Sequence, residues 1–396
     1  MSHTRLLWQA ASRPELADWE TEGMPNSGDR TRILFLNQGQ AEKKSPLGIL
    51  RAQQVYQSHF PAGVSAQARF RVIEPFNVLQ RAMVTPVPGL PGHGYSDLRW
   101  FALRSLAARG IIRDEIRSWK PTVAHIVVNG AALFLPSMQA ELPCVPSFDV
   151  AMAEWMRLMH QLPQDKPLGH PWQVLQDLER RSLEAAPLAI SWTEHVSEML
   201  RGLVPEARIE TLHPGLDTHL FSPRTDPRRP GVLRILFVGG RFAAKGGPAL
   251  LAAAEGLRRP VEVHVVTTER VRRHPLMTVH RTRPGTTDLA DLFRNADLFC
   301  LPTTWDAVPW AILEAQASGL PVVSTSVGSI PELVGEAGRV VPPHNLEALR
   351  AALADLVEDD RALRTLGEFA RGLVEAKYDA DRNTARLVTL LSSVGE

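Results

Sequence analysis

With 396 residues, 44% of them hydrophobic and 22% charged, the chain is too long for one ordinary core and reads as two globular domains with a cleft between them. Its net charge of +1, spread as 23 basic and 22 acidic residues up to Arg224 and 21 of each beyond, argues against a nucleic-acid binder; no apolar run nears the roughly 20 residues of a bilayer span. Cys144 and Cys300 lie far apart in apolar stretches, the setting of reduced buried thiols rather than of a disulfide framework or a zinc site.

Residues 1–30 are polar and aperiodic and end in the turn-rich PNSGDR, so they read as a variable lead-in. Nothing at the start marks the chain for secretion, and a cytoplasmic location is the default expectation. From Arg32 the apolar run ILFLN is followed by the loop QGQAEKKSPLG, a helical stretch ILRAQQVYQSHF and the strand-like ARFRVIEPF. Further strands are expected at VAHIVV, LAISW and ARIETL, with helices over about 100–119, 152–161 and 172–184. Strand and helix in alternation predict a parallel sheet covered on both faces, one doubly wound domain over 31–222. Gly39 is either a turn residue or a place where the donor, or else the acceptor, approaches the backbone, and Lys43 and Lys44 are either solvated or face an anionic acceptor. His125 is a core or strand-end histidine, or one that supports an acceptor. Arg99, Arg104, Arg109, Arg113, Arg117 and Lys120 recur along one helix, as a solvated face or as a contact for anionic lipid or a phosphorylated acceptor. Met152, Trp155, Met156 and Met159 share a helical face suited to core packing or to an apolar acceptor.

Residues 223–231, PRTDPRRPG, hold three prolines and read as an exposed linker. The alternation then restarts with LRILFVGG and continues through VEVHVV, ADLFCLP, LPVVSTS and GRVVP, predicting a second doubly wound domain over 232–376. Residues 377–396 carry Leu387, Leu390, Leu391 and Val394 at helical spacing, a last helix able to pack on either domain.

The chemistry concentrates at strand ends of this second domain. GGRFAAKGG, residues 239–247, follows an apolar strand and precedes a helix, where glycines and free N–H groups suit a phosphate and Arg241 and Lys245 add full charges. It is neither a dinucleotide GxGxxG fingerprint nor a P-loop, and no GxGxxG with a following acid occurs, which disfavours an oxidoreductase. Next comes TTWDAVPWAILE, with a helix expected over 307–318, Asp306 at its start as a cap, and Glu314 among apolar residues where an unpartnered acid is costly; that favours a ligand-facing role for Glu314. GSIPE, residues 328–332, is a third strand end of the same type.

In the order GGRFAAKGG, then Asp306 and Glu314, then EAQASGLPVVSTSVGSIPELV, the sequence resembles the family 4 retaining glycosyltransferases of GT-B fold; HPGLDTHLFSP, residues 213–223, is similar to that family's segment before its interdomain linker. The resemblance covers about 212–342 and implies two Rossmann-like domains facing across a cleft, the first for acceptor and the second for a nucleotide-sugar donor. It implies that Arg241 and Lys245 hold the donor diphosphate, that Glu314 bonds the ribose, and that Asp306 lies beside the transferred sugar. Gly240 and the loop of Val308, Pro309 and Trp310 would approach the donor phosphate. It further implies a UDP- or GDP-linked donor, no metal, no other cofactor, and an acceptor that is a sugar, a lipid-linked glycan or a small molecule. Two departures stand out. Asp306 replaces the family's usual Glu, and the loop after it reads Ala-Val-Pro-Trp in place of a Gly-containing one; Phe148-Asp149 replaces a His-Asp pair, which removes a His contact to the sugar and leaves Asp149 to meet or support the acceptor. A nucleotide-sugar-binding protein that has lost transfer is therefore the alternative.

Overall fold

The structure, a computed structural model, describes residues 31–38, 47–62, 64–74, 77–85, 93–127, 129–162, 166–225 and 231–395. The lead-in, Gly39, Lys43, Lys44 and residues 226–230 of the linker lie outside the described residues.

The chain begins with β1 (Thr31–Gln38), α1 (Leu47–Ser58), β2 (Ala66–Ile73), α2 (Val78–Val84), α3 (His93–Ser118) and β3 (Val123–Ile126). It continues through β4 (Cys144–Phe148), α4 (Met152–His160), α5 (His170–Ala185), β5 (Ala189–Ser191), α6 (Glu194–Leu203) and β6 (Ile209–Thr211). These strands make one parallel sheet in the order β2-β1-β3-β4-β5-β6. Its two faces are both dry: Leu34, Leu36 and Ile126 pack against Ala108 and Ile112 of α3, while the alternate residues Ile33, Phe35 and Val123 pack with Tyr56 of α1. Parallel strands covered on both sides need such unbroken apolar runs.

The second half supplies β7 (Leu233–Val238), α7 (Gly247–Ala254), β8 (Val261–Val266), β9 (Met277–His280), α8 (Thr287–Arg294), β10 (Leu298–Leu301) and α9 (Trp310–Ala317). Then follow β11 (Val322–Thr325), α10 (Ile330–Val334), β12 (Gly338–Val341), α11 (Leu346–Val357), α12 (Asp360–Lys377) and α13 (Ala380–Gly395). The sheet order is β12-β11-β10-β7-β8-β9, all parallel. Strand order therefore reverses between β7 and β10, and the loops leaving these two neighbours diverge to opposite faces and open a crevice. Arg241 and Lys245 stand on the first loop and Asp306 on the second.

The chain passes between domains twice, and the two passages are bonded to each other. Leu216 N–H donates to Tyr378 O (2.7 Å) and Ala380 N–H to Leu216 O (3.1 Å). Asn383 Nδ2 donates to His213 O at 3.1 Å. Beyond this knot α13 packs against β1, β3 and α1 of the first domain, with Leu387 and Leu391 fully buried.

The long basic helix is not one solvated face. Arg104 is fully buried and donates to Glu74 O at 2.8 Å beyond the end of β2, whereas Arg99, Arg113 and Arg117 are exposed. Met152 and Met156 lie in a core with Phe101, Leu133 and Leu175, so that face of α4 holds helices together rather than an acceptor. Burial pushes both cysteine thiols up, Cys144 to about 12, which leaves them protonated and inert. Among the described residues no helix is long and apolar enough to cross a membrane.

Gly215 holds φ +93°, and a Cβ there would stand 2.7 Å from the Cα of Ala380. Gly215→Ala is expected to cost about 1–3 kcal/mol by adding backbone strain and a clash at the crossover, and a thermal unfolding midpoint equal to that of the parent would contradict this account.

Candidate functional site

The loop after β7 is wound tightly. Lys245 N–H donates to Arg241 O (2.9 Å), Gly246 N–H to Ala243 O (3.2 Å) and Gly247 N–H to Phe242 O (2.9 Å). Gly246 sits at φ +83°, and a Cβ would lie 2.0 Å from Pro302 O, so this turn presses directly on the loop after β10. The donors expected at the start of α7 are thus partly consumed by the turn itself. The N–H groups of Gly240, Val308 and Trp310 carry no hydrogen bond among the described residues and remain for an anion. Pro309, between the last two, has no N–H to offer.

Lys245 Nζ makes an ion pair with Asp306 Oδ2, and both side chains are 17% exposed. Nζ also donates to Trp305 O at 3.3 Å and lies 4.6 Å from the Trp305 ring centroid; the Arg241 guanidinium lies 5.5 Å from the same ring. Trp305, whose place in the motif gives no sign of a role, is the surface on which both cations rest. Its position is fixed through Thr303, whose hydroxyl donates to Trp305 O (2.9 Å) and accepts from Trp305 N–H (3.3 Å).

Asp306 does not cap α9. The helix starts at Trp310, later than expected, with Pro309 as its N-cap and no side-chain cap. The residue before a proline resists the α region, so Val308 cannot be helical and the cap position moves past Asp306. Glu314 is 1% exposed, and its partner is a cation rather than a hydroxyl: Oε1 pairs with Arg51 of α1, across the domain boundary. The Arg51 guanidinium also lies 5.1 Å from the ring centroid of Trp310. Trp310 itself is buried against His213 (5.2 Å between centroids) and Trp192 (6.3 Å), a wedge between domains more than a ligand-facing side chain.

Opposite this site stands Asp149, directly after β4. Burial, with a smaller contribution from the charge of Asp306, raises its carboxyl to about 6, although its own N–H and that of Val150 bond it. Two carboxylates from different domains therefore share one cleft. Phe148 points into the core with Leu183 and Val196. His125 is also a core residue and not an acceptor contact: it is fully buried, with Nε2 2.6 Å from Ser147 Oγ and its ring against Phe35 and Tyr56, and burial lowers it to about 3.

The third strand end has turned into an interdomain strap. Glu332 accepts from the N–H groups of Glu194 and His195 (2.9 Å each) at the start of α6, and Ser329 Oγ meets Thr193 Oγ1 at 2.8 Å. His195 Nε2 lies 2.8 Å from Glu154 Oε1, which raises its pKa.

Comparison with known proteins bears on the fold. The sequence profile of the family glycosyl transferases group 1 matches residues 233–359. An MMP alpha-(1->4)-mannosyltransferase of Mycolicibacterium hassiacum is 30% identical over 240 residues, 56% of this chain, and the match spans 56% of that protein's length. The fold is similar to sucrose-phosphate synthase from Thermosynechococcus elongatus (TM-score 0.69, 16% identity, 92% of this chain and 99% of the other). It is also similar to Anabaena HepE solved with UDP and glucose (TM-score 0.63, 15% identity, 92% and 100%). The architecture is GT-B.

Asp306→Asn should release Lys245 and tighten binding of inorganic pyrophosphate about fivefold, the worth of one partly exposed ion pair; unchanged or weaker binding by calorimetry would refute the pairing. Asp149 gives a pH prediction. A carboxyl raised in the folded state opposes folding once ionised, so the cost is absent below about pH 4, grows through the interval to about 6, and reaches on the order of 3 kcal/mol above it. Asp149→Asn should thus unfold at a higher temperature than the parent at pH 7.5 and at the same temperature at pH 3.5.

Proposed function

We propose that this chain is a retaining, metal-independent glycosyltransferase that moves a sugar from a UDP- or GDP-linked donor to an acceptor hydroxyl. The observation that carries it is the meeting of Arg241 and Lys245 on Trp305 at the point where strand order reverses, with N–H groups of Gly240, Val308 and Trp310 on the same two loops that carry no hydrogen bond among the described residues. The relative named for mannosyl transfer and the neighbour solved with UDP and glucose support the same reading.

Breaking the bond between the anomeric carbon and phosphate leaves charge on the diphosphate. Two cations that rest on one indole ring stabilise that charge. In this reading the diphosphate takes Lys245 from Asp306, and the freed carboxylate then accepts hydrogen bonds from hydroxyls of the sugar. The acceptor hydroxyl attacks the face the phosphate leaves and gives its proton to the departing phosphate oxygen. The protein supplies position and field, and Glu314 holds the nucleotide through its ribose.

A second reading, donor binding without transfer, draws on Phe148, whose burial leaves no side chain at that place to bond the sugar. One series of measurements separates the two. A UDP- or GDP-sugar at about 100 times its dissociation constant should add about 2.7 kcal/mol to stability, Lys245→Ala should abolish the gain, and EDTA should leave it intact. Release of nucleoside diphosphate that depends on an added acceptor supports transfer; donor binding without release over a broad acceptor panel supports the second reading, and no binding of any nucleotide sugar overturns both.

A further inference from the structure

Arg51 belongs to the first domain and reaches into the second. It lies on α1, yet its guanidinium pairs with Glu314 Oε1 on α9 and lies over Trp310. The pair is largely enclosed, with Arg51 14% and Glu314 1% exposed; the buried Oε1 has the charge of Arg51 as its partner and no hydrogen bond, and no hydrogen bond from the described residues reaches Oε2. A lone buried carboxylate is expensive, and a planar guanidinium supplies directional donors that an ammonium does not. Fixing one carboxylate oxygen fixes the plane of the group and therefore the direction of the other oxygen. The contact also exists only when the two domains are together, because its partners sit on opposite sides of the cleft.

We propose that Arg51 is a positioning residue for the nucleotide: it anchors one oxygen of Glu314 so that the other is presented to the ribose hydroxyls. This rests on the function proposed above and assigns a side chain of the first domain a part in reading the nucleotide, where the sequence offered only the backbone at Gly39. The guanidinium also lies over the ring of Trp310, so the aromatic wedge between the domains contacts the same arginine that pairs with Glu314. The diphosphate end of the site, on Arg241 and Lys245, is independent of this pair.

The test compares UDP and GDP with their 2′-deoxy counterparts, and with inorganic pyrophosphate, by calorimetry on the full chain. In the parent the 2′-hydroxyl should be worth about tenfold in affinity, one hydrogen bond to a charged group. In Arg51→Ala the preference should fall below about threefold, with pyrophosphate binding within twofold of the parent and Arg51→Lys in between. A preference that stays tenfold overturns the proposal, as does tighter nucleotide binding in Arg51→Ala, which would make the arginine a competitor of the ribose. If Arg51→Ala does not fold, Arg51→Gln is judged by the same criterion. A parent that binds neither nucleotide defeats the proposed function itself, an outcome distinct from a parent that binds and a variant that keeps its preference.

Discussion

The cleft depends on holding two sheets with their carboxyl ends facing one another, and a carboxylate on a helix terminus does much of this. Glu332, on α10 of the second domain, accepts two backbone N–H groups that α6 of the first domain cannot satisfy internally. The charge meets the positive end of the helix dipole, and the adjacent Thr193 serves as N-cap while its hydroxyl meets Ser329. One end of a helix in one domain is thus completed by the other domain. Glu179 does the same within the first domain, accepting the Met152 N–H at the start of α4, whose N-cap Ala151 has no side chain to offer. Next to this strap, through Trp192, the crossover knot closes the joint with His213 among Trp192, Trp310 and Tyr378. His213 is lowered to about 3 by its burial and stays neutral there.

Between these fastenings the site is assembled from charges already satisfied in pairs. Lys245 has Asp306 and Glu314 has Arg51, each pair bridging two elements that come from different loops or domains. Removing one partner would strand a charge in a low-dielectric cleft, so the residues are held in place before any ligand arrives. Arg241 is the exception. It is exposed, rests on Trp305 and has no acid partner among the described residues. That asymmetry gives an incoming anion a first contact that costs no broken pair.

Much of the second domain was legible in the sequence because its constraints are local. A strand followed by glycines and a helix, a proline after a loop and a glycine past a helix end each dictate backbone geometry within a few residues, and Lys245 and Asp306 were found that way. The misses have equally local causes. Pro146 argues against an interior strand, yet β4 tolerates it where its pairing changes from β3, up to Pro146, to β5, from Ser147. MTVH of β9 is too short, and too exposed at its edge position, to stand out. Asp306 looked like a cap because the position was right, and the proline three residues later displaced the helix. Arg51 had no signature at all, since its role is created by a residue more than 260 positions away in the chain.

The two acids of the cleft bring these points together. Asp149 is raised to about 6 by burial and, to a smaller extent, by the charge of Asp306, whereas Asp306 is paired with Lys245. If a diphosphate draws Lys245 away, as the proposed reaction requires, Asp306 loses its counter-ion at the moment the sugar arrives. Two carboxylates without a cation then face the sugar, and the charge that answers them is the positive charge that grows at the anomeric centre as its bond to phosphate lengthens. The same cation would thus act twice, first masking a negative site and then, by leaving it for the phosphate, exposing that site where positive charge is forming.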